Sequence, residues 1–499
     1  MPSVVKRILT LLVLIALIPA SWAAALRAGA AKIDITRESA RTGDPLFAKA
    51  LVISDGTTTS VLLTVDAVAI GGIGSIRDEY LPNVRRRLAQ DLGIQPSMVL
   101  ANASHCHGVV TPHIEDRTVQ VVKEAFDKMV PVRVGSGSGF ENSIMENRRL
   151  VLKSGRQIDV RQAYSLPPDE EVGAVGPVDA EIGVVRLDRE DGTPLALVYN
   201  FACHPIKGIP SGGNTADISG FASQVIEDNL GPGAIALFVQ GCGGDINPIE
   251  YKQVDLPRDA QPLGNQLAIS TLKAAHAIKT TSRATLAMVN HTVALPRADH
   301  TKRIAEMEIE QQKLLKALRG TSLNFKTFLP LYTKYKVTGE FPAEYSYRYL
   351  RDKQIGRDNL EKLDARNQND LQRYLNNVHT MEALSRLAIN KALLEKHLKR
   401  NQEAEMKPIE VEVVGLRLGD FRMVTFPAEL TVPIGLNLKR QSPHEQTFVA
   451  GYSNGYIYYA PTADQLKNVG RAQEDSDCLL APEWQAIFES KALQILKDL

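Results

Sequence analysis

Three apolar runs in this chain end in side chains able to hold a metal ion. Met98-Val99-Leu100 leads into Ser104-His105-Cys106-His107-Gly108. In an extended backbone His105 and His107 would point to one side and Cys106 to the other. Two imidazoles so placed can share a metal, or one can ligate while the other donates a hydrogen bond. His204 stands before Pro205 just past the run from Leu195 to Tyr199. Its neighbour Cys203 would face the other way, which makes it a poor ligand. Glu429 closes Pro427-Ala428-Glu429 beyond the run from Phe421 to Phe426. Enzymes place catalytic groups at strand ends because the sheet holds them rigidly. Each signal is weak alone. A His-x-His pair is more often structural or incidental, a lone His more often a satisfied core residue, and a lone Glu in a turn more often solvated.

The elements needed to bring these residues together are legible. Asp55-Gly56 joins Leu51-Val52-Ile53 to Val61-Leu62-Leu63 as a hairpin. A second hairpin turns at Asp191-Gly192 between Ile182–Leu187 and Leu195–Tyr199, and a third at Gly419-Asp420 between Ile409–Leu418 and Phe421–Phe426. A helix is expected from Asp78 to Leu92, closed by Gly93. Further strands are expected at Ile235 to Val239, ending in Gly241-Cys242-Gly243-Gly244-Asp245, and at Phe448 to Ala450. Hairpins mixed with crossover helices predict an α/β fold, a mixed β-sheet core covered by helices. Residues from about 301 to 406 differ. They are charged and helix-forming, with apolar positions such as Ile304, Met307, Leu314, Leu387 and Leu394 at irregular helical spacing. They read as a helical insertion, loop-like near Gly320 to Pro342. A solvated packing role is the simpler reading, and shaping a substrate entrance is the alternative.

Bulk composition narrows the function classes. Lys6 and Arg7 precede an apolar run from Ile8 to Pro19, and Ser21-Trp22-Ala23 follows. That is the layout of a signal peptide over residues 1–23, and it predicts an exported, periplasmic or secreted protein. The run is too short for a permanent span, so no integral membrane segment is expected after cleavage. A length of 499 residues fits one large domain over 24–499 with an insertion. The formal charge of +1 offers no electrostatic case for nucleic acid or for an anionic membrane surface. Four cysteines are too few for a disulfide scaffold. Buried inert thiols are the favoured reading, with a Cys106–Cys242 bridge as the alternative.

A resemblance joins the scattered motifs. Ala31-Lys32-Ile33-Asp34-Ile35-Thr36 resembles the opening of the neutral, non-lysosomal ceramidase family. Ser104-His105-Cys106-His107-Gly108 resembles the family's Ser-His-Thr-His-Ser. Glu146-Asn147-Arg148-Arg149, the strand Val178 to Leu187, His204-Pro205, Asp217 to Ala222 and Gly244-Asp245-Ile246-Asn247-Pro248 follow in the family's order. Pro427-Ala428-Glu429 and Asn454-Gly455-Tyr456-Ile457-Tyr458-Tyr459 complete the series. The match spans most of the chain outside the helical insertion.

That resemblance implies a zinc ion held by His105, His204, Glu429 and Tyr459, with Tyr456 and Tyr458 as alternatives to the last. Imidazole and carboxylate ligands suit a catalytic zinc that keeps a position for water. His107 and Arg148 would face the substrate and stabilise the oxyanion formed when a metal-activated water attacks an amide carbonyl. His107 is also the best candidate to protonate the leaving amine. The implied activity is a zinc-dependent amidohydrolase acting on ceramide or a related N-acyl lipid. A metal-dependent esterase or lactonase, and a non-catalytic lipid-binding protein on the same scaffold, are the alternatives. One departure bears on mechanism. Asn247 stands where the family has a serine, and an amide cannot act as a hydroxyl nucleophile, which leaves Asn247 as a polar contact in the site. The family's C-terminal immunoglobulin-like domain is not expected here.

Overall fold

The strand Phe47–Ser54 contains the logic of the fold. Ala48, Ala50 and Val52 enter one apolar cluster, while Leu51 and Ile53 enter another on the opposite face. Successive side chains point to opposite sides, so a strand apolar at both parities must be covered twice. The computed structural model, which describes residues 26–40, 43–160, 166–208, 214–251, 258–338, 346–468 and 472–499, meets that demand with four layers. The expected signal peptide lies outside the described residues.

The large sheet has eight strands. Their order is Ile235–Gln240, Pro194–Phe201, Glu181–Arg189, Val130–Phe140, Arg27–Asp34, Phe47–Ser54, Thr59–Val65 and Val99–Ala103. The outermost pair at each edge is parallel and the inner pairs are antiparallel, so the sheet is mixed as expected. One face is covered by helices: Tyr80–Leu92 and Ile114–Asp127 over one half, Asp217–Leu230 and Gln261–Ala277 over the other. The opposite face packs on a second sheet of four strands, Leu286–Leu295, Ile409–Leu418, Phe421–Thr425 and Thr447–Ala450. The outer face of this sheet is covered by the helix Trp484–Asp498. Each buried Leu, Ile, Val or Phe in these interfaces contributes roughly 1.5–3 kcal/mol. The second sheet was not evident from sequence, because two of its strands lie on opposite sides of the helical insertion.

The large sheet curls until its edges meet. The Gln240 N–H, on one edge strand, donates to Asn102 Oδ1 on the other at 2.8 Å. Asn102 Nδ2 also donates to the Gly451 carbonyl at 2.8 Å, just past the last strand of the small sheet. One buried amide side chain thus ties together three strand ends, and the residues following those ends share one region of space.

Local expectations largely hold. All three hairpins form, and the helix Tyr80–Leu92 ends at Gly93 in the left-handed conformation with φ +70°. The insertion folds as Thr301–Ala317, Phe325–Thr338, Ser346–Gln354 and the 45-residue helix Asn359–Glu403. Phe325–Thr338 falls where a loop was expected from sequence. It is helical despite an internal Pro330, because Phe328 stacks on Tyr374 of the long helix with ring centroids 4.4 Å apart. All four cysteines are free and buried, so the alternative Cys106–Cys242 bridge does not form.

Candidate active site

His105 follows the edge strand Val99–Ala103, and its backbone is not extended as the sequence suggested. Its φ is +69°, a region that a residue with a side chain enters at a cost. The turn is held by the His105 N–H donating to the Ala67 carbonyl at 2.9 Å. His204 follows the neighbour of the opposite edge strand, and its N–H donates to the Ile246 carbonyl at 3.1 Å. Cys203 points away into the apolar core. Glu429 is not solvated. It is 2% exposed and lies in the short strand Glu429–Leu430, paired in parallel with Tyr459–Ala460 so that Glu429 is level with Tyr459.

These turns converge. His204 Nε2 lies 3.0 Å from Glu429 Oε2, and His105 Nε2 lies 3.4 Å from the same oxygen. The proton positions follow from the other ring nitrogens. His105 Nδ1 is 2.6 Å from the Val68 carbonyl, and His204 Nδ1 is 3.0 Å from the Ile246 carbonyl. A carbonyl only accepts, so both Nδ1 atoms carry hydrogen, which leaves each Nε2 to turn a lone pair toward Glu429 when the ring is neutral. Burial, opposed in part by Glu429, pushes His204 down to about 3, so it is neutral at physiological pH.

Two lone pairs and a carboxylate this close repel unless a cation lies among them. Ligands about 2.1 Å from one tetrahedral ion are about 3.4 Å from each other, close to the 3.0 and 3.4 Å between the two imidazoles and Glu429. The ligand atoms of all three residues lie within 4.8 Å of one another. The group fits a divalent metal.

The surrounding cavity has a volume of about 410 Å³ and brings together His105, His107, Arg148, His204, Glu429 and Tyr459. His107 is exposed at its edge, its ring perpendicular to that of His105 at 5.5 Å. Arg148 is buried. It donates through Nε to Glu474 at 2.6 Å, through Nη2 to the Gly244 carbonyl at 2.5 Å and to the Tyr459 hydroxyl at 3.2 Å, and through Nη1 to Asn247 Oδ1 at 3.0 Å. Burial opposes its charge, but Glu474, Tyr459 and Asp159 together more than offset that, and the guanidinium is held well above its ordinary range. Asn247 stands behind Arg148 and is not among the described residues that line the cavity.

Several further residues complete the site, of which only Tyr456 carried a functional signal in the sequence. The Tyr456 O–H donates to Glu429 Oε1 at 2.5 Å, and the Tyr452 ring lies against His105 with centroids 4.4 Å apart. Both belong to the tyrosine-rich stretch, and Tyr456 supports the carboxylate through that bond. Glu474 and Asp477 come from an acidic cluster, Glu474-Asp475-Ser476-Asp477, and the burial of its first three residues was the missing clue. The helical insertion does more than pack. Lys396 on its long helix lines the cavity, with its ammonium 4.5 Å from the Tyr458 ring, and Arg400 donates to the Tyr458 hydroxyl. His397 pairs with Asp477 at 2.5 Å.

No family model matches the sequence, and no curated protein matches it significantly. Solved structures do match. The crystal structure of neutral ceramidase from Pseudomonas aeruginosa superimposes with a TM-score of 0.59 at 16% identity, covering 95% of this chain and 75% of that chain. A ceramidase complexed with C2 gives the same TM-score, identity and coverage. At this identity the likeness is one of architecture, and on that ground the chain has the fold of the neutral ceramidases.

Proposed function

We propose that this protein is a zinc-dependent hydrolase that cleaves the amide bond of ceramide or a related N-acyl lipid with a metal-activated water. The observation that carries the reading is the convergence of two imidazole nitrogens and one carboxylate oxygen in one place, beside the guanidinium of Arg148. His105, His204, Glu429 and Tyr459 would hold the ion, and a nitrogen-and-oxygen donor set of this kind suits zinc. When bound, such an ion supplies Lewis acidity and a water whose pKa falls to roughly 7.

The chain's own groups do the rest. Arg148 uses its Nε–H, both Nη2–H bonds and one Nη1–H within the protein, which leaves one Nη1–H for a substrate oxygen. Its fixed partners hold that donor in place before charge develops on the carbonyl oxygen, the condition under which such a donor lowers a barrier most. Asn247 keeps Nη1 oriented, so it acts through Arg148. His107, at the open edge, delivers the proton to the leaving nitrogen. Tyr456 fixes the Glu429 carboxylate, and Val68, Ile73 and Ile206 make part of the wall apolar. The fold shared with neutral ceramidases supports a lipid amide as the substrate class, and the leader from Lys6 to Ala23 supports export.

The test is a hydrolysis screen of purified protein against N-acyl sphingosines, other N-acyl amines and matched esters, with metal content measured on the same sample. Stoichiometric zinc and chelator-sensitive amide turnover are expected. Undiminished turnover by metal-free protein, or ester cleavage without amide cleavage, would refute the reading.

A further inference from the structure

The outer part of the helical insertion has a character of its own. Residues 311–357 contain ten Lys and Arg against three Asp and Glu, a surplus of seven in a chain whose total is only +1. The total conceals this because the remainder of the chain is net acidic. The helix Phe325–Thr338 has no acidic residue at all.

Its inward side is occupied. Phe328 stacks on Tyr374 of the long helix, and the Tyr335 O–H donates to Asp364 at 2.6 Å. That docking fixes what faces outward. Phe325 is 65% exposed, Leu329 one turn later is 48% exposed, and Val337 is 81% exposed. Lys326 and Lys336 are exposed among them. The helix Ser346–Gln354 repeats the pattern, with Tyr347 and Leu350 exposed at 61% and 64% beside exposed Arg348 and Arg351.

A single exposed apolar side chain is ordinary, but a cluster marks a contact surface. Here each apolar tip has an exposed lysine or arginine within three residues of it in the chain. Aromatic and aliphatic tips interleaved with ammonium and guanidinium groups match the boundary of a bilayer. The tips enter the acyl region while the cations meet lipid phosphates. We propose that the helices Phe325–Thr338 and Ser346–Gln354 dock this protein on an anionic lipid bilayer. No described helix is long and apolar enough to cross a membrane, so the contact is peripheral. The same insertion supplies Lys396 to the cavity wall, so one structural unit joins the docking face to the candidate active site. The inference stands apart from the hydrolase reading, because binding to vesicles is measured without turnover.

The purified protein is sedimented with vesicles of phosphatidylcholine alone, and with vesicles of phosphatidylcholine and phosphatidylglycerol in equal parts. Binding to the mixed vesicles is expected to be at least roughly tenfold stronger than to the neutral ones, and to weaken as salt is raised. Lys326→Glu combined with Lys336→Glu is expected to lower partitioning on the mixed vesicles by roughly tenfold or more. Phe325→Ser combined with Leu329→Ser is expected to lower it on a similar scale by removing the inserted tips. Circular dichroism checks the fold of both variants, and if one misfolds the other decides. Equal binding to the two vesicle types, no binding to either, or folded variants that partition like the parent protein would overturn the proposal.

Discussion

Replacing Tyr456 with Phe removes one hydroxyl group and little else. That hydroxyl donates to Glu429 Oε1 at 2.5 Å, while Oε2 of the same carboxylate faces both imidazoles. A hydrogen bond to a buried charge contributes about 1.5–3 kcal/mol, and 1.4 kcal/mol is a factor of ten. The variant leaves Oε1 without this donor and lets the carboxylate rotate away from its ligating position. Zinc affinity should therefore fall roughly 10-fold to 100-fold, the scale on which outer-shell partners of metal ligands act. Tyr452→Phe is the matched control. Its hydroxyl is 3.4 Å from Glu429 Oε2, too long for a strong bond, and the ring that packs on His105 is retained. A change of at most about threefold is expected there. Competition titration against a chromophoric chelator measures both dissociation constants, and thermal melting of the metal-free proteins confirms their folds. A Tyr456→Phe protein that binds zinc within about threefold of the parent, or no more weakly than Tyr452→Phe, would refute the account of how the carboxylate is held.

Three further outcomes are expected. Glu429→Gln keeps the shape of the side chain but removes the charge between two imidazoles, so the protein should lose both stoichiometric zinc and amide turnover, as read by metal analysis and a hydrolysis assay. Glu474→Gln breaks a fully buried ion pair with Arg148 and Arg149, at 2.6 Å and 3.3 Å, and should cost about 3–5 kcal/mol in chemical denaturation. Asp66 gives a dependence on pH. Burial raises its carboxyl from 3.8 to about 6, against the opposing effect of Lys49, so the folded state binds a proton that the unfolded state has released. Its contribution to stability is present below about pH 4 and is lost as pH rises through 6. Asp66→Asn should therefore gain on the parent protein by on the order of 2–3 kcal/mol between pH 4 and 7, as measured by denaturation at a series of pH values.

Turns and caps were the most legible part of the fold. Asp55-Gly56, Asp191-Gly192, Gly419-Asp420 and Gly93 act over a few residues, and each formed the expected turn or helix end. Long-range pairing was not legible. Leu286–Leu295 pairs with Ile409–Leu418 across the entire insertion, and no local signal indicates that partner. Within the candidate site, residue types were readable but conformations were not. His105 and His107 do reach one cavity, yet by a left-handed turn at His105 and not by the alternation of a strand.

The sequence alone determined the local structure and the chemical kinds of group available, because turn preference, side-chain parity and donor type are properties of neighbouring residues. It also contained, in the clustering of Lys and Arg over 311–357, a charge asymmetry that the total of +1 hides. Only the tertiary structure decided that Asn102 closes the large sheet on itself, that Glu429 is buried between two imidazoles, and that Lys396 reaches the cavity. Those facts depend on contacts between residues up to several hundred positions apart, whose energies come from burial and from hydrogen bonds that exist only once the chain has folded.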